Sequence, residues 1–443
     1  MARLPDPLRD PVVWTVAALA ALVAALGPVG ADALWLVPLG DRIVHGDLPG
    51  SIPYATAPSD GWHDVPAGAQ VVFWAAYRAF GGDRGLVLAQ AAAAATAFGA
   101  LACGLRREAG GAAALGVSLV VLAGALPAVA VTNVSLFSLA LFPLLLGLLE
   151  REARAPSRRI WLAVPLLALW GNLHGAVLAG WALLALYLVL ALARRAPARA
   201  GAVLAAATLA LLAGPELWDT PRYYWGVFGN EAARRRVGLW TPLSTGAFDL
   251  LLVAAFALLL ALALARARRF HRWEAVAIAG LAAATVDVAR NGVWLLLVAA
   301  YPAARSLRLG EPRPHRLALA AGAVGLAAVA AVVAGPPDPG SRPLARAAAR
   351  AGGTVLAEPV LGQQVALAGG RVWVDNPLDA FRRADQRLYV HWFSGDAAGA
   401  RALEHAELVL VSTASDAGRR AAVDPRLVLL TARDGRALYR IRG

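Results

Sequence analysis

The sequence predicts a mostly α-helical, polytopic membrane bundle of about 11 spans, followed by a small C-terminal extracytoplasmic α/β domain. Three observations predict this fold class. Of the 443 residues, 59% are hydrophobic and only 16% are charged, and the apolar residues form long uncharged runs. Soluble domains average roughly 45–50% apolar and about 25% charged residues. The composition therefore argues against a purely soluble protein.

The apolar runs predict the individual spans. A helix needs about 20 mostly apolar residues to cross the hydrocarbon core, because its backbone can hydrogen-bond only to itself there. Several runs are shorter, so those helices must include flanking residues. The predicted spans are 12–29, 86–105, 112–131, 136–149, 160–171, 176–193, 203–213, 250–265, 275–288, 293–304 and 317–334.

The charges predict the orientation of these spans. All 42 basic residues are arginine, and with 29 acidic residues they give a net charge of +13. In a soluble chain this excess would suggest nucleic-acid binding, but here the arginines cluster in alternate connections. Nineteen lie on one side: Arg3, Arg9, Arg106, Arg107, Arg151, Arg154, Arg158, Arg159, Arg194, Arg195, Arg199, Arg266, Arg268, Arg269, Arg272, Arg305, Arg308, Arg313 and Arg316. Eight lie on the other: Arg42, Arg78, Arg84, Arg222, Arg234, Arg235, Arg236 and Arg290.

The positive-inside rule then places the N-terminus in the cytoplasm and the C-terminal region outside the cytoplasmic (inner) membrane. No nucleic-acid partner is expected. Two domains are predicted, a transmembrane domain over 1–335 with large outer loops at 30–67 and 215–246, and an extracytoplasmic domain over 336–443. In the latter, strand-like runs at 354–356, 372–374, 408–411 and 427–430 alternate with helical segments such as 344–350 and 400–405. A single cysteine, Cys103, excludes disulfides and cysteine-rich metal clusters.

The first outer loop contains Asp32, Trp35, His63 and Asp64. A loop of this length without regular structure of its own is usually functional or disordered, and its Trp, Tyr and Pro content argues against disorder. Asp32 directly follows the first span, where a carboxylate is costly unless it is hydrated or paired. Two interpretations stay open: a general base that faces a cavity at headgroup level, or the N-cap of a helix over 33–44.

The second outer loop contains Arg222 and three consecutive arginines, Arg234, Arg235 and Arg236. Arginine forks bind phosphate oxygens bidentately, so these residues are candidate ligands of a lipid phosphate or diphosphate. The alternative is general attraction to anionic lipid headgroups. Nearby aromatic residues line a sugar or lipid pocket, or belong to an interfacial belt; they are Tyr223, Tyr224, Trp225 and Trp240.

Two smaller outer turns add candidates. Asn172 and His174 lie between the fifth and sixth spans, and Arg290 lies between the ninth and tenth, three residues after Asp287. That spacing favours pairing of Asp287 with Arg290 on one helical face. In the functional interpretation, Arg290 binds phosphate while His174 and Asn172 hydrogen-bond a polar substrate.

These motifs resemble a family of bacterial polytopic membrane proteins described as GT-C fold glycosyltransferases, relatives of the protein mannosyltransferases. The similarity rests on "DALW" at 32–35, "HGDLPGSIPYATAPSDGW" at 45–62, "WGNLHG" at 170–175 and "RN" at 290–291. In addition, "GGRVWVDNPLDAF" at 369–381 resembles the extracytoplasmic domain that ends many such chains. Within "WVDN", Asp375 is expected to end a strand rather than to contact substrate.

The resemblance implies transfer of a sugar from a polyprenyl-phosphate carrier at the outer face, usually with inversion. An acidic residue of the first outer loop would act as the base, a place that Asp32 matches. Arg290 or the Arg234–Arg236 cluster would stabilise the leaving phosphate. Implied partners are membrane lipids, the lipid-linked sugar donor and a glycan, lipid or protein acceptor of the cell envelope. No residue is assigned to a metal site, metal dependence stays open, and no cofactor beyond the donor is implied.

Departures from the family pattern leave other functions open. Leu239 stands where relatives have an acidic residue before Trp and Pro, and Val65 follows Asp64 where a His-Glu-Trp-like segment is expected. The alternatives are a transporter or flippase of a lipid-linked envelope intermediate, and a non-catalytic GT-C-like scaffold or inactive relative. Transporters place polar groups near the membrane midplane, and the near absence of ionisable residues within the predicted spans argues against that class.

Overall fold

The computed structural model describes residues 9–30, 32–265, 270–307, 309–336 and 340–442. Arg3, Arg266, Arg268, Arg269 and Arg308 of the orientation prediction lie outside the described residues. The chain forms two compact units. The first, called the helical unit, comprises Met1–Pro28, Phe80–Gly214 and Leu239–Pro336. The second, called the mixed unit, comprises Val29–Ala79, Pro215–Gly238 and Pro337–Gly443, so it combines the first outer-loop region and residues 215–238 of the second with the C-terminal segment.

Most described residues are helical. The first ten helices are α1 (Pro11–Ala25), α2 (Leu36–Val44), α3 (Ala67–Ala79), α4 (Asp83–Glu108), α5 (Gly111–Gly124), α6 (Leu126–Ala130), α7 (Leu136–Arg154), α8 (Ala163–Gly171), α9 (Val177–Tyr187) and α10 (Pro197–Ala210). They are followed by α11 (Thr220–Phe228), α12 (Glu231–Arg235), α13 (Ala247–Leu264), α14 (Arg272–Asp287), α15 (Gly292–Ser306), α16 (Pro314–Ala334), α17 (Arg342–Ala351), α18 (Pro359–Leu367), α19 (Arg383–Phe393) and α20 (Asp416–Ala421). The strands are β1 (Thr354–Ala357), β2 (Arg371–Val372), β3 (Leu408–Ser412), β4 (Leu427–Arg433) and β5 (Arg436–Ile441).

In the helical unit, each of the predicted apolar segments coincides with a helix. Among the described residues, α4, α13 and α16 are long and apolar enough to cross a membrane by themselves, and several others are shorter apolar helices. Some are short because glycine and proline end them. Gly27 follows α1, and a Cβ there would lie 1.7 Å from the carbonyl oxygen of Ala130, so only glycine allows this close approach. The number of membrane spans stays a prediction.

One ionic cluster joins helix ends within the helical unit. Arg305 of α15 is 8% exposed. Its Nη1 lies 3.0 Å from Oε2 of Glu150 in α7 and 3.9 Å from Glu108 in α4, and its Nη2 contacts Glu274 in α14. A buried guanidinium is tolerated only when its charge is paired. The cluster therefore ties together the ends of four helices.

The mixed unit contains a sheet with the strand order β2-β1-β3-β5-β4 among the described residues. β1 pairs in parallel with β2 and β3, whereas β5 pairs antiparallel with β3 and β4. Asp434 and Gly435 both have positive φ, 50° and 72°, and connect β4 to β5 in a tight hairpin. Asp-Gly is a strong hairpin signal, yet β5 was not predicted. The prediction of a small C-terminal sheet with helices is confirmed.

The first outer-loop region extends this sheet. Amide N–H groups of Thr56 and Ala57 donate to the carbonyls of Val372 (2.8 Å) and Trp373 (3.0 Å), and Val372 N–H donates to the carbonyl of Tyr54 (2.9 Å). α2, over 36–44, lies within this loop and coincides with most of the helix over 33–44 that the N-cap interpretation of Asp32 assumed, and α3 directly follows the loop. Edge strands offer unpaired backbone groups to any extended segment, so residues 54–57 cover the β2 edge.

Candidate active site

Asp32 lies in the mixed unit in a conformation that aspartate rarely adopts. Its φ is +71°, in the left-handed region where Asn and Asp are enriched among non-glycine residues. The helix that follows begins at Leu36, with Trp35 before it and no side-chain cap. The N-cap interpretation of Asp32 is therefore wrong. Instead, its Oδ1 accepts a hydrogen bond from Nδ2 of Asn376 at 2.8 Å.

Asn376 is held in place by the strand addition of the first outer loop. It follows β2 by a few residues, in the segment that resembles the family's extracytoplasmic domain. The hydroxyl of Tyr54 donates to the carbonyl oxygen of Asn376 at 2.9 Å, and the neighbours of Tyr54 pair with Val372 and Trp373. Two backbone segments more than 300 residues apart thus position one side chain against Asp32.

Asp375 is a buried carboxyl beside this hydrogen bond. It is 1% exposed, and its Oδ1 accepts from the backbone N–H of Asn376 at 2.8 Å. A Cβ at Gly362 in α18 would lie 2.6 Å from its Oδ2, so glycine makes room for the carboxyl. Burial raises the pKa of Asp375 well above its usual range, and the charge of Asp32 raises it further.

Asp379 and Tyr223 complete the surroundings of Asp32. Burial raises the pKa of Asp379 to about 6, and Asp32 adds to the shift. Burial is also the main reason that the pKa of the Tyr223 hydroxyl is raised, and the charges of Asp379, Asp64 and Asp32 raise it further. Because Asp32 contributes to both pKa shifts, Asp379 and Tyr223 must lie within electrostatic range of its carboxylate. We call Asp32, Asp64, Asp375 and Asp379 the acidic cluster.

Asp64 lies at the other end of the acidic cluster. Its side chain is fully buried and accepts a hydrogen bond from Nε2 of Gln70 at 2.5 Å. Burial raises the pKa of Asp64 to about 7, and the charges of Glu216 and Asp379 contribute. A carboxyl with such a pKa can hold or release a proton near neutral pH, as general acid–base chemistry requires.

His63 and Glu216 form a contact next to Asp64. Nδ1 of His63 lies 2.8 Å from Oε2 of Glu216, whose Oε1 accepts from the backbone N–H of Asp64 at 3.2 Å. Ligand atoms of His63, Glu216 and Asp219 lie within 4.8 Å of one another. Imidazole and carboxylate are ligands of divalent transition metals, so these three residues could hold a metal ion that the sequence did not predict.

The remaining candidates of the mixed unit differ in their surroundings. Trp35 packs edge-on against Trp62, with ring centroids 6.4 Å apart, and Arg222 at the start of α11 is exposed. Arg234 and Arg235 lie 3.9 and 3.5 Å from Glu231. Nη2 of Arg235 also lies 2.7 Å from Nε2 of His391 in α19, and Arg236 ends α12 with a φ of +55°. Arg235 therefore has a structural role in joining α12 to α19.

His174, Asn172 and Arg290 belong to the helical unit. Burial lowers the pKa of His174 to about 3, and the charge of Arg290 contributes. Nδ1 of His174 lies 2.7 Å from the hydroxyl of Ser138, which accepts from the indole N–H of Trp170. Asn172 donates to the carbonyls of Ala168 (2.9 Å) and Ala213 (2.5 Å) and so fixes the end of α8. The guanidinium of Arg290 lies 4.3 Å above the Trp240 ring.

The structure thus brings Asp32 and Asp64 into one unit and His174 and Arg290 into the other. Sequence reasoning missed Asn376 and Asp379 as site residues and assigned Asp375 to the end of a strand. The available signal was the quoted "WVDNPLDAF" stretch, whose polar residues all lie in or beside the acidic cluster.

Comparison with known proteins shows a likeness of fold. No protein-family model and no curated protein sequence matches this chain. Among solved structures, the chain is similar to ArnT from Cupriavidus metallidurans bound to undecaprenyl phosphate, with a TM-score of 0.56 and 14% sequence identity over 97% of each chain. This similarity confirms, at the level of fold, the GT-C resemblance of the sequence. Together with the apolar helices it indicates a multi-pass membrane protein.

Proposed function

We propose that this protein is an integral-membrane glycosyltransferase that transfers a sugar from a polyprenyl-phosphate donor to an acceptor hydroxyl at the outer face of the cytoplasmic membrane. The observation that carries the proposal is the position of Asp32. Its half-buried carboxyl is held by Asn376 inside the acidic cluster, in a chain whose fold is similar along 97% of its length to that of an undecaprenyl-phosphate-bound protein.

Sugar transfer to a hydroxyl requires a base that deprotonates the acceptor and a positive group that stabilises the leaving phosphate. Asp32 accepts the proton of the acceptor hydroxyl as the oxygen attacks the anomeric carbon of the donor sugar, and the carbon–oxygen bond to the carrier phosphate breaks. The product is the glycosylated acceptor, with inverted configuration, and the polyprenyl phosphate leaves as an anion. An arginine of the mixed unit is the proposed partner of this phosphate, because arginine forks match phosphate oxygens, and Arg222 is exposed in that unit.

The neighbouring carboxyls favour Asp32 as the base. Close carboxylates resist simultaneous ionisation, and environments that separate their pKa values assign them different roles. Asp375 holds its proton well above the usual pH range of an aspartate, and Asp64 and Asp379 have pKa values of about 7 and 6. These groups reduce the negative charge around Asp32 and can relay the proton that it receives.

The test uses the full chain with Asp32→Asn. Asparagine tolerates the left-handed backbone, so the variant should fold, bind undecaprenyl phosphate like the wild type in native mass spectrometry, and lose transfer by roughly 10²–10⁴-fold, the usual contribution of a general base. Transfer is read by mass spectrometry of envelope lipids and glycans from cells that express each form in place of the wild type.

Asp60→Asn is the matched control, since Asp60 is exposed in the same loop and should leave transfer unchanged. If Asp32→Asn cells produce the same glycans as wild-type cells, Asp32 is not the base. Deletion of the whole chain gives a further outcome. If cells without the chain produce every glycan unchanged, while the purified wild-type chain still binds carrier lipid, a scaffold or inactive relative is the better assignment.

A further inference from the structure

The helical unit contains a polar cavity of about 290 Å³. It lies where α9 leads into α10 and where α14 begins. The polar residues that line it are Arg194, Arg195, His271 and Arg272, and the aromatic residues include Tyr187 and Trp273. We call it the arginine cavity. Nothing in the proposed sugar transfer uses it, because its residues come from connections that the charge pattern assigns to the cytoplasmic side.

Local structure shapes two walls of the cavity. After α9 the chain continues in a π-helical turn, Leu188–Leu192, and π-turns joined to α-helices occur frequently at functional sites. α14 begins at Arg272, and a capping box between His271 and Glu274 fixes its first turn. The N-terminus of this 16-residue helix adds partial positive charge to that of the arginines.

The carboxylates nearby are already engaged. Glu274 binds Arg305 and accepts from the backbone N–H of His271 at 2.7 Å. Glu152 accepts from the backbone N–H of Ser157 at 2.7 Å and from its hydroxyl. Within the described part of the chain, Arg194, Arg195 and Arg272 form no ion pair with a carboxylate. All three arginines are exposed at the rim of the cavity, so solvent screens their mutual repulsion, and an anion held among them would lower it further.

We propose that the arginine cavity binds a phosphate group, carried either by an anionic phospholipid headgroup or by a free phosphate anion. Guanidinium forks bind phosphate oxygens bidentately, and basic pockets between helices at the cytoplasmic end of a membrane bundle are suited to lipid headgroups. Arginines that only set membrane orientation need no shared cavity, which distinguishes this site from the other arginines on the same predicted side.

The experiment titrates the purified full chain, in a neutral detergent, with short-chain dihexanoyl phosphatidylglycerol or with inorganic phosphate at constant ionic strength. Dihexanoylglycerol, which has the same chains without phosphate, is the ligand control. Binding is read as the rise in unfolding temperature. The test variant is R194Q/R195Q/R272Q, and the matched control is R158Q/R159Q/R316Q, which removes three exposed arginines of the same predicted side that do not line the cavity.

We expect R194Q/R195Q/R272Q to bind phosphatidylglycerol roughly tenfold more weakly or worse, since hydrogen bonds to charged groups are lost, while the control stays within about twofold of the wild type. Binding of phosphatidylglycerol alone identifies a lipid headgroup, and binding of inorganic phosphate as well shows that the phosphate group suffices. Arg195→Lys keeps the charge but loses the fork, so it should weaken binding without changing the ligand-free unfolding temperature.

Three results would overturn the proposal: equal binding of dihexanoylglycerol, equal loss in the two triple variants, or unchanged phosphate and lipid binding in R194Q/R195Q/R272Q. Failure of the sugar-transfer test leaves these outcomes unaffected, because they are measured as binding at other residues.

Discussion

A single hydrogen bond connects the proposed base to the C-terminal segment, from Nδ2 of Asn376 to Oδ1 of Asp32. A donor of this kind stabilises the ionised carboxylate and orients it. Asn376 is therefore a positioning residue, which acts on substrate only through Asp32. The acidic residues around the pair make that donor more important, because neighbouring carboxyl groups disfavour the ionised form of Asp32.

We predict that Asn376→Ala lowers transfer by roughly tenfold to a hundredfold, the loss of one hydrogen bond to a charged group, and moves the acidic limb of the pH–rate profile to higher pH. At pH 8 Asn376→Asp should be more impaired than Asn376→Ala, because its ionised carboxyl repels the carboxylate of Asp32, and this extra impairment should disappear at pH values where the new carboxyl holds a proton and can donate. Equal activity of the two variants at every pH would instead indicate that Asn376 only packs.

The buried carboxyl of Asp64 predicts a pH-dependent stability. Its pKa of about 7 lies above the ordinary value of 3.8, so the folded chain keeps a proton that the unfolded chain releases between these two values. The stabilisation is complete below about pH 4 and is lost as the pH rises through about 7. Asp64→Asn removes this dependence.

The free energy of unfolding of Asp64→Asn minus that of the wild type should therefore increase between pH 4 and pH 8, by on the order of a few kcal/mol. Chemical denaturation in detergent at the two pH values measures it, with Asp60→Asn as the exposed control. Parallel pH profiles for Asp64→Asn and wild type would show that the carboxyl titrates normally.

At the scale of elements, residues 54–57, which form an isolated parallel bridge with Val372, are the part of the first outer-loop region that joins it to the C-terminal sheet. Thr56→Pro removes the N–H that donates to Val372, and proline cannot replace it. We expect a loss of about 1–3 kcal/mol and faster proteolysis between α2 and α3. Thr56→Ala keeps the N–H and should stay near wild type; equal protease resistance of both variants would show that the pairing contributes little.

The elements show what the sequence could and could not predict. Long apolar runs such as 250–265 and 317–334 became α13 and α16, because hydrophobic length alone selects a helix in a membrane. The pairing of residues 54–57 with β2 was out of reach, since strand partners 316 residues apart leave no mark in a single sequence. Asp32 was a candidate because it directly follows the first predicted span. Asp379 is a site residue only because the fold brings it near Asp32, which a single sequence does not show.

At the scale of the whole molecule, the charge pattern predicts a cytoplasmic N-terminus and an odd number of spans. In a Cys103→Ala background, Val423→Cys, at a residue 81% exposed in the mixed unit, should react with a membrane-impermeant maleimide on intact cells. Arg158→Cys, in an exposed connection of the helical unit, should react only after lysis. Labelling of both positions in intact cells would contradict the odd number of spans predicted between residues 158 and 423, and the reverse pattern would invert the orientation.

The strand addition of residues 54–57 also sets an order of events during synthesis. Thr56 and its partner Val372 are 316 residues apart, and at roughly 5–20 residues per second the ribosome needs between about 15 s and 1 min to make that interval. During this time the emerging loop has no sheet to join, and Asp32 has no Asn376. A nascent chain that stops before Arg371 could insert most of its helices, yet it would lack the donor that holds its proposed base.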